Sequence, residues 1–377
     1  MGLLDLLSGA LREPAECVIE VDGREISDLY PFLTEVSVET SRADAATASL
    51  RFETRRDERG RWSVQDAGVL EPWAAIRLKA AFGHRNEEIM RGYIRQVNAD
   101  YPQEAGATTV SVTCQDSSLA LDREHVRRSW GEDTPASDAQ ILQETVVGRA
   151  GLSLDPDNGS GQSGLVLLQD STDIRFLRSR AEVNGYELIF HEGRVYFGPL
   201  RLDAEAQATI RVYAGPDTHC FSFSVDDDGH QPDAVAFDVA AEDGSTTTHR
   251  EVQPDLPALG PTAAGSQGSG LAPFTWRMRR RGGSERELAA QAQRLANEQS
   301  LRVSAEGELD GSLYGHVLRV AEPVAVDGVG ERYGGTYYVD SVTHTFNTEG
   351  YRQRFRLLRN AYGDDLSLSG NPLAGLL

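Results

Sequence analysis

The 377-residue sequence predicts a mainly β fold with an α+β insert: two antiparallel β-barrels separated by a small α/β domain. Three observations carry this. Segments of period-2 alternation crowd both ends of the chain, two amphipathic helices and a hairpin lie between them, and the second β region repeats features of the first. The expected units are residues 14–120 for the first barrel, 121–208 for the α/β domain and 209–362 for the second barrel. The second barrel carries an insertion at 241–300, and a tail follows at 363–377.

In the first region, residues 17–26 read as a strand running into an Asp22-Gly23 turn. Residues 33–40 and 48–53 alternate apolar and polar side chains on either side of a polar turn at 41–46. Residues 74–81, 90–98 and 109–114 complete six strands with no long helix among them. The pattern changes after Asp116. Ser137-Asp138 is a helix cap, and Ile141, Leu142, Thr145, Val146 and Ala150 follow at helical spacing until Gly151. Residues 170–173 start a second helix carrying Ile174, Leu177, Ala181 and Val183, stopped at Asn184-Gly185. A hairpin of 186–191 and 194–197 turns at Glu192-Gly193.

Strands return at 209–214, 221–225 and 234–239. Residues 241–272 are poor in large apolar side chains and read as an exposed loop or linker. Ser284 caps a helix with Leu288, Ala289, Ala292, Leu295 and Ala296 on one face. Strands are expected again at 301–309, 317–320, 335–345 and 351–359.

The repeat has two parts. Residues 34–38 and 48–52 resemble 221–225 and 234–238, with Val36, Val38, Leu50 and Phe52 matched by Phe223, Val225, Ala236 (or its neighbour Val235) and Phe237. The offset is 187 for the first of these segments. Residues 90–97 with Tyr101, then 110–112, resemble 334–342 with Phe346, then 354–357, at an offset of 243 between Gly92 and Gly335. The two offsets differ by 56 residues, about the size of the linker and helix that follow residue 241. One barrel used twice, the second copy enlarged, accounts for both.

Composition narrows function. Lys+Arg number 37 against 58 Asp+Glu, a net charge of −21 with a pI near 4.8, which argues against a protein that neutralises phosphates; no nucleic-acid partner is expected. Lys79 is the single lysine, so Schiff-base chemistry and a P-loop lysine are all but excluded. Cys17, Cys114 and Cys220 are far apart and form no C-x-x-C pair, so they read as small buried hydrophobes. No apolar run approaches the ~20 residues of a membrane span, and no membrane insertion is expected. The first residues lack a basic n-region, which points to cytoplasmic synthesis. Gly2 invites myristoylation, but Leu6 stands where Ser or Thr is needed.

No catalytic, cofactor-binding or metal-binding constellation emerges. The eight histidines form no H-x-x-x-H pair, and alternation puts His344 on the face of Val342 and Phe346 as a hydrogen-bonded strand residue. Asp226-Asp227-Asp228-Gly229 fails as a calcium loop because Ser224 and Val235 occupy its first and twelfth positions, and it reads as a solvated turn. Residues 159–164 are not G-x-S-x-G. Arg277, Arg279, Arg280 and Arg281 form the one cationic patch, suited to an acidic partner surface or a neighbouring subunit.

Residues 137–152 (Ser-Asp-Ala-Gln-Ile-Leu … Arg-Ala-Gly-Leu), 173–187 (Asp-Ile-Arg-Phe-Leu … Asn-Gly-Tyr-Glu) and 193–198 resemble the late control gene D / VgrG-type hub proteins of phage tails and contractile injection systems. Tyr337-Tyr338-Val339, His344-Thr345-Phe346, Tyr351-Arg352 and Phe355 resemble that family's closing barrel strands; the likeness spans roughly residues 15–362. It implies two tube-type barrels with an α/β domain between them, and a non-enzymatic baseplate hub. Three chains would then form a pseudo-sixfold ring joining a hexameric tail tube to a trimeric spike. Implied partners are a homotrimer, a tail-tube protein, a spike and other baseplate components. Since the sequence stops at Leu377 without a needle, the spike is expected to be a separate polypeptide. The implied location is the bacterial cytoplasm during assembly, then the particle. Two other classes stay open: a carbohydrate-binding or adhesin β protein, and a hydrolase with an unrecognised acid pair.

Overall fold

The computed structural model describes residues 14–103, 106–240, 246–265, 270–279 and 285–364. Alternation in the first region folds as expected into β1 (Glu16–Val21), β2 (Leu33–Ser41), β3 (Thr47–Glu53), β4 (Ala75–Phe82), β5 (Arg85–Asp100) and β6 (Thr109–Asp116). Asp22 and Gly23 turn the chain after β1 with φ of 48° and 77°, a conformation that Gly adopts without a Cβ penalty. Val36, Val38, Leu50, Phe52, Leu78, Ile94, Val110 and Val112 are each fully buried and meet in one core. At about 25 cal/mol per Å² of apolar surface, such residues each stabilise by roughly 1.5–3 kcal/mol.

The middle of the chain holds β7 (His125–Trp130), α1 (Asp138–Leu142), β8 (Leu167–Thr172), α2 (Asp173–Asn184), β9 (Glu187–His191) and β10 (Arg194–Gly198). Ser137 caps α1 with a capping box closed by Gln140, and helical turns continue to Arg149. The second helix begins later than its Asp170 signal, because residues 167–172 pair with β7 along their whole length. Gln169, fully buried, accepts from the Trp130 indole at 3.0 Å and donates to Asp173 at 2.7 Å, fixing that changeover. Gly185 ends α2 at φ 68°.

The last region contains β11 (Gln207–Arg211), β12 (Cys220–Asp227), β13 (Ala234–Ala240), β14 (Thr247–Val252), β15 (Thr275–Arg277), α3 (Glu285–Ser300), β16 (Val303–Asp310), β17 (Pro323–Asp327), β18 (Gly335–Asn347) and β19 (Gly350–Arg359). The expected strand at 317–320 is absent. Its backbone N–H groups donate to side chains instead, Val317 to Glu87 and Leu318 to Gln353, both at 2.7 Å, and the strand lies at 323–327.

One 13-stranded sheet runs through the molecule in the order β12-β16-β19-β18-β2-β3-β6-β5-β4-β1, extended by Arg24–Glu25, with β17 and β11 branching from β18. Its halves share a topology: β1-β4-β5-β6-β3-β2 in the first is β11-β17-β18-β19-β16-β12 in the second. All adjacent pairs within each half are antiparallel, apart from the parallel β11–β17 pair. Two of the β-bulges coincide as well, while one in β4–β5 and one in β11–β17 are each confined to their own half. The irregularity between Leu33 and Glu35 recurs between Cys220 and Ser222, and the one between Ile94 and Gln96 recurs between Val339 and Ser341.

This register corrects the repeat in two places. The counterpart of β3 is β16, not β13, so Leu50 and Phe52 correspond to Gly307 and Leu309 rather than to Ala236 and Phe237. On both sides of the bulge β5 and β18 are offset by 245 residues rather than 243, so Ile94 corresponds to Val339 and Gly92 does not correspond to Gly335, while the match of Tyr101 to Phe346 stands. Strand β13 leaves the main sheet for a three-stranded one with β14 and β15, and Val235 and Phe237 pack there on Leu288, Ala292 and Ala296 of α3. The described part of 241–272 is therefore no plain linker: it supplies β14, and Leu256 and Leu259 join the hydrophobic cluster that contains Tyr338.

The displaced match has a packing cause. Across the first half, Val36, Leu50 and Val112 lie side by side; the equivalent row is Phe223, Gly307 and Phe355, two large residues around none. A Cβ at Gly307 would lie 2.5 Å from the Ser222 carbonyl oxygen and 2.6 Å from the Phe355 ring. We expect Gly307→Ala to lower unfolding stability by about 1–3 kcal/mol, measured by urea denaturation. Combining it with Phe355→Leu should recover part of that loss.

Candidate functional site

The two half-sheets are joined by β18 and β2. Ser341 to Phe346 lie opposite Ser41 to Val36, antiparallel and without a break. Alternation sends Val36, Val38, Val342, His344 and Phe346 into the core and leaves Ser37, Glu39, Thr343 and Thr345 on the other face. Thr40 adds a hydroxyl donor to the Val342 carbonyl at 3.1 Å.

At the end of this seam stands Arg42, read from sequence as part of a solvated turn. Its side chain is 8% exposed. Nε donates to Glu187 at 2.6 Å, Nη2 donates to Glu298 at 2.8 Å, and Nη1 lies 3.5 Å from Asp340. The guanidinium also sits 5.3 Å from the centroid of the Tyr338 ring, whose hydroxyl donates to Glu187 at 2.7 Å. Burial opposes its charge, yet the three carboxylates outweigh burial and hold its pKa above the ordinary arginine range. Glu187 comes from β9, Glu298 from α3 and Asp340 from β18, so one cation ties four parts of the chain.

Beside the seam, the α/β unit and both half-sheets enclose a cleft of about 210 Å³ lined by Glu88, Arg91, His191, Arg201 and Arg319 among others. Three ion pairs lie in its wall: Glu88 with Arg91 at 2.8 Å, Arg319 with Glu192 at 3.4 Å, and Arg201 with Glu322 at 3.9 Å. Among the described residues no three His, Cys, Asp or Glu side chains are grouped to hold a metal ion, and no helix is long and apolar enough to cross a membrane. Burial pushes the Cys17, Cys114 and Cys220 thiols up to about 12, so they remain protonated and unreactive at neutral pH.

The arginine patch is only partly available. Arg277 lies in β15 and donates to Asp238 at 2.5 Å, while Asp238 also meets His249 at 3.1 Å. Arg279 is exposed; Arg280 and Arg281 fall outside the described residues, as do the cap at Ser284, the chain start and the tail beyond 364. The acidic run is more than a solvated turn. Asp227 accepts from Arg332 at 2.9 Å, Tyr333 at 3.2 Å and Tyr362 at 2.8 Å, and these partners hold its carboxyl below the usual range despite partial burial.

His344 faces Val38 across the seam, as its alternation predicts, and its Nδ1 is hydrogen-bonded to the Tyr351 hydroxyl at 2.9 Å. Burial lowers its pKa to about 3. The unfolded imidazole titrates near 6.5, so between these values the unfolded chain binds the extra proton. Stability present above about pH 6.5 is therefore lost as the pH falls toward 3. His344→Gln removes the titrating group, and its stability should fall less than that of the parent between pH 7 and 4.5 in paired urea titrations.

Comparison with known proteins places this geometry. The family model described as the Alg8 N-terminal domain matches residues 12–348. No curated protein matches the sequence. Among solved structures, the chain is similar to the 43 kDa tail protein of prophage MuSo2 from Shewanella oneidensis, with a TM-score of 0.68 at 13% identity over 92% of this chain and 98% of that one. It is also similar to a tail protein from Neisseria meningitidis MC58, with a TM-score of 0.61 at 11% identity over 92% and 97%. A third is the E. coli c3393 protein, a type VI secretion component described as structurally similar to the T4 tail proteins gp27 and gp5, with a TM-score of 0.52 at 10% identity over 92% and 78%. At these identities the likeness establishes a shared, mainly β fold.

Proposed function

We propose that this chain, which belongs to the Alg8 N-terminal domain family, is a non-enzymatic baseplate hub of a phage tail or phage-like contractile injection particle, of the late control gene D / VgrG type. The observation that carries this is the duplicated half-sheet, matched in strand order, in register and at two bulges. A chain with two equivalent units lets three copies present six, so a threefold spike can be fitted to a sixfold tail tube. The phage-tail and type VI secretion neighbours support the reading through their fold. In this proposal residues 14–120 and 209–362 form the two barrels, 121–208 the domain between them, and 363–377 a tail. The protein assembles in the bacterial cytoplasm and ends in the particle.

Light scattering at physiological salt should give three times 41.1 kDa, and negative-stain images should show a ring with a central hole. A monomeric or dimeric mass over a wide concentration range, with tail-tube protein present, would overturn the hub. The cationic segment is proposed to contact an acidic neighbour, since planar guanidinium forks suit carboxylates. Replacing Arg279, Arg280 and Arg281 with Ser should leave the trimer mass unchanged and reduce particle assembly; particles at parental yield would dismiss the contact.

A further inference from the structure

The seam inside the chain uses one edge from each half, and its counterparts are left open. β18 pairs with β2, so the equivalent edges belong to β5 in the first half and β12 in the second. β5 pairs with β4 only as far as Tyr93, and Ile94 exchanges bonds with Trp73 and Ala74; residues 95–100 pair with β6 alone among the described strands. β12 likewise pairs with β16 alone.

The hydrogen-bond phase shows which groups these edges offer. Thr54 N–H donates to Thr108 O at 3.1 Å and Asp116 N–H to Ala46 O at 2.9 Å, so Val110 and Val112 direct their backbone groups toward β3. Opposite them, Val97 and Ala99 must then direct theirs toward the open edge. Asp228 N–H donates to Arg302 O at 3.3 Å, which by the same alternation turns Phe223, Val225 and Asp227 outward. Side-chain burial agrees. Val36, Val38, Val342 and His344 are at most 1% exposed, whereas their counterparts Phe223, Val225, Val97 and Ala99 are only half-buried, and Tyr101 is 55% exposed against 8% for Phe346. Open strand edges of this kind invite pairing.

We propose that β5 of one chain pairs antiparallel with β12 of a second copy, in the register of the internal seam. Gln96 would then face Asp228 of the second copy, Asn98 its Asp226, Ala99 its Val225, Asp100 its Ser224, and Tyr101 its Phe223. The occupant is a second copy because both edges descend from strands that already fit each other within this chain, and because charge is complementary. Exposed Arg95 replaces Asp340 at the bulge, beside the acidic Asp226 and Asp228. The contact is head-to-tail, and each new seam repeats the rotation of the internal one, which is how such interfaces close into rings. This deepens the hub proposal and rests on it.

Arg42 N–H donates to Asp340 O at 3.1 Å, which makes Ser41–Ser341 a non-hydrogen-bonded pair, and Glu39–Thr343 another. The equivalent intermolecular pair is Asp226–Asn98, with an expected Cα separation of about 4.5 Å, inside the disulfide range of ~4.4–6.8 Å. The full chain carrying Asn98→Cys and Asp226→Cys should give covalent oligomers under mild oxidation. Asn98→Cys alone, and Asn98→Cys with Ser222→Cys four residues out of register, should not. Ala99→Pro removes a donor that faces the open edge and spares the β6 ladder, so it should unfold at the parental temperature yet remain monomeric. An oligomer by light scattering that fails to cross-link, cross-links equally out of register, or survives Ala99→Pro would overturn the seam and leave the ring standing. A chain that stays monomeric and uncross-linked would overturn both.

Discussion

The charge on Arg42 is the constraint from which the arrangement of the chain follows. A guanidinium buried to this degree is tolerable only with carboxylates against it, and here they come from the α/β unit, from α3 and from the second half-sheet. Breaking such a buried pair by removing one partner typically costs about 3–5 kcal/mol, while a well-packed apolar replacement can be neutral. Its contribution is therefore placement more than raw stability. Each carboxylate belongs to an element that also packs elsewhere, so the ion fixes how separately formed pieces sit against the β2–β18 seam.

Around that junction the halves have diverged by exchange of volume within rows. Val36-Leu50-Val112 and Phe223-Gly307-Phe355 fill comparable space with different individual residues, as close-packed interiors require. Strand order, register and two of the bulges are shared because they are properties of the backbone ladder. Side-chain identity is free wherever a neighbour in the row can compensate.

This explains what could be read from the residues and what could not. Alternation exposed most strands of the main sheet, and the match of Val36 and Val38 to Phe223 and Val225 at offset 187 stands in the observed register. The partner of β3 was hidden because Leu50 has become Gly307, and the alternating 234–238 segment offered a better-looking match that belongs to another sheet. β7 was missed because His-Val-Arg-Arg-Ser-Trp has an almost wholly exposed surface, and β17 because it opens with Pro323. The buried junction was illegible for a different reason. Arg42 sits in Ser-Arg-Ala-Asp, a composition typical of solvated turns, and its partners lie 145 to 298 positions away. The open edges were illegible too, since they are defined by pairing that is missing.

The insertion departs from Asp227 and returns at Val303, residues that face each other on one rung of the β12–β16 ladder. The corresponding connection in the first half spans only residues 42–46, against 228–302 here, close to four doublings of length. Closing the longer loop costs about 2.4 kcal/mol more in chain entropy, at roughly 0.6 kcal/mol per doubling. Such a penalty is within reach of the insertion's own core of Val235, Phe237, Leu288, Ala292 and Ala296. Because both ends meet on a single rung, the segment enters and leaves without disturbing the β12–β16 register, and what it adds to the rest of the molecule lies in contacts made far from that rung: Glu298 with Arg42, and Leu256 and Leu259 in the cluster around Tyr338.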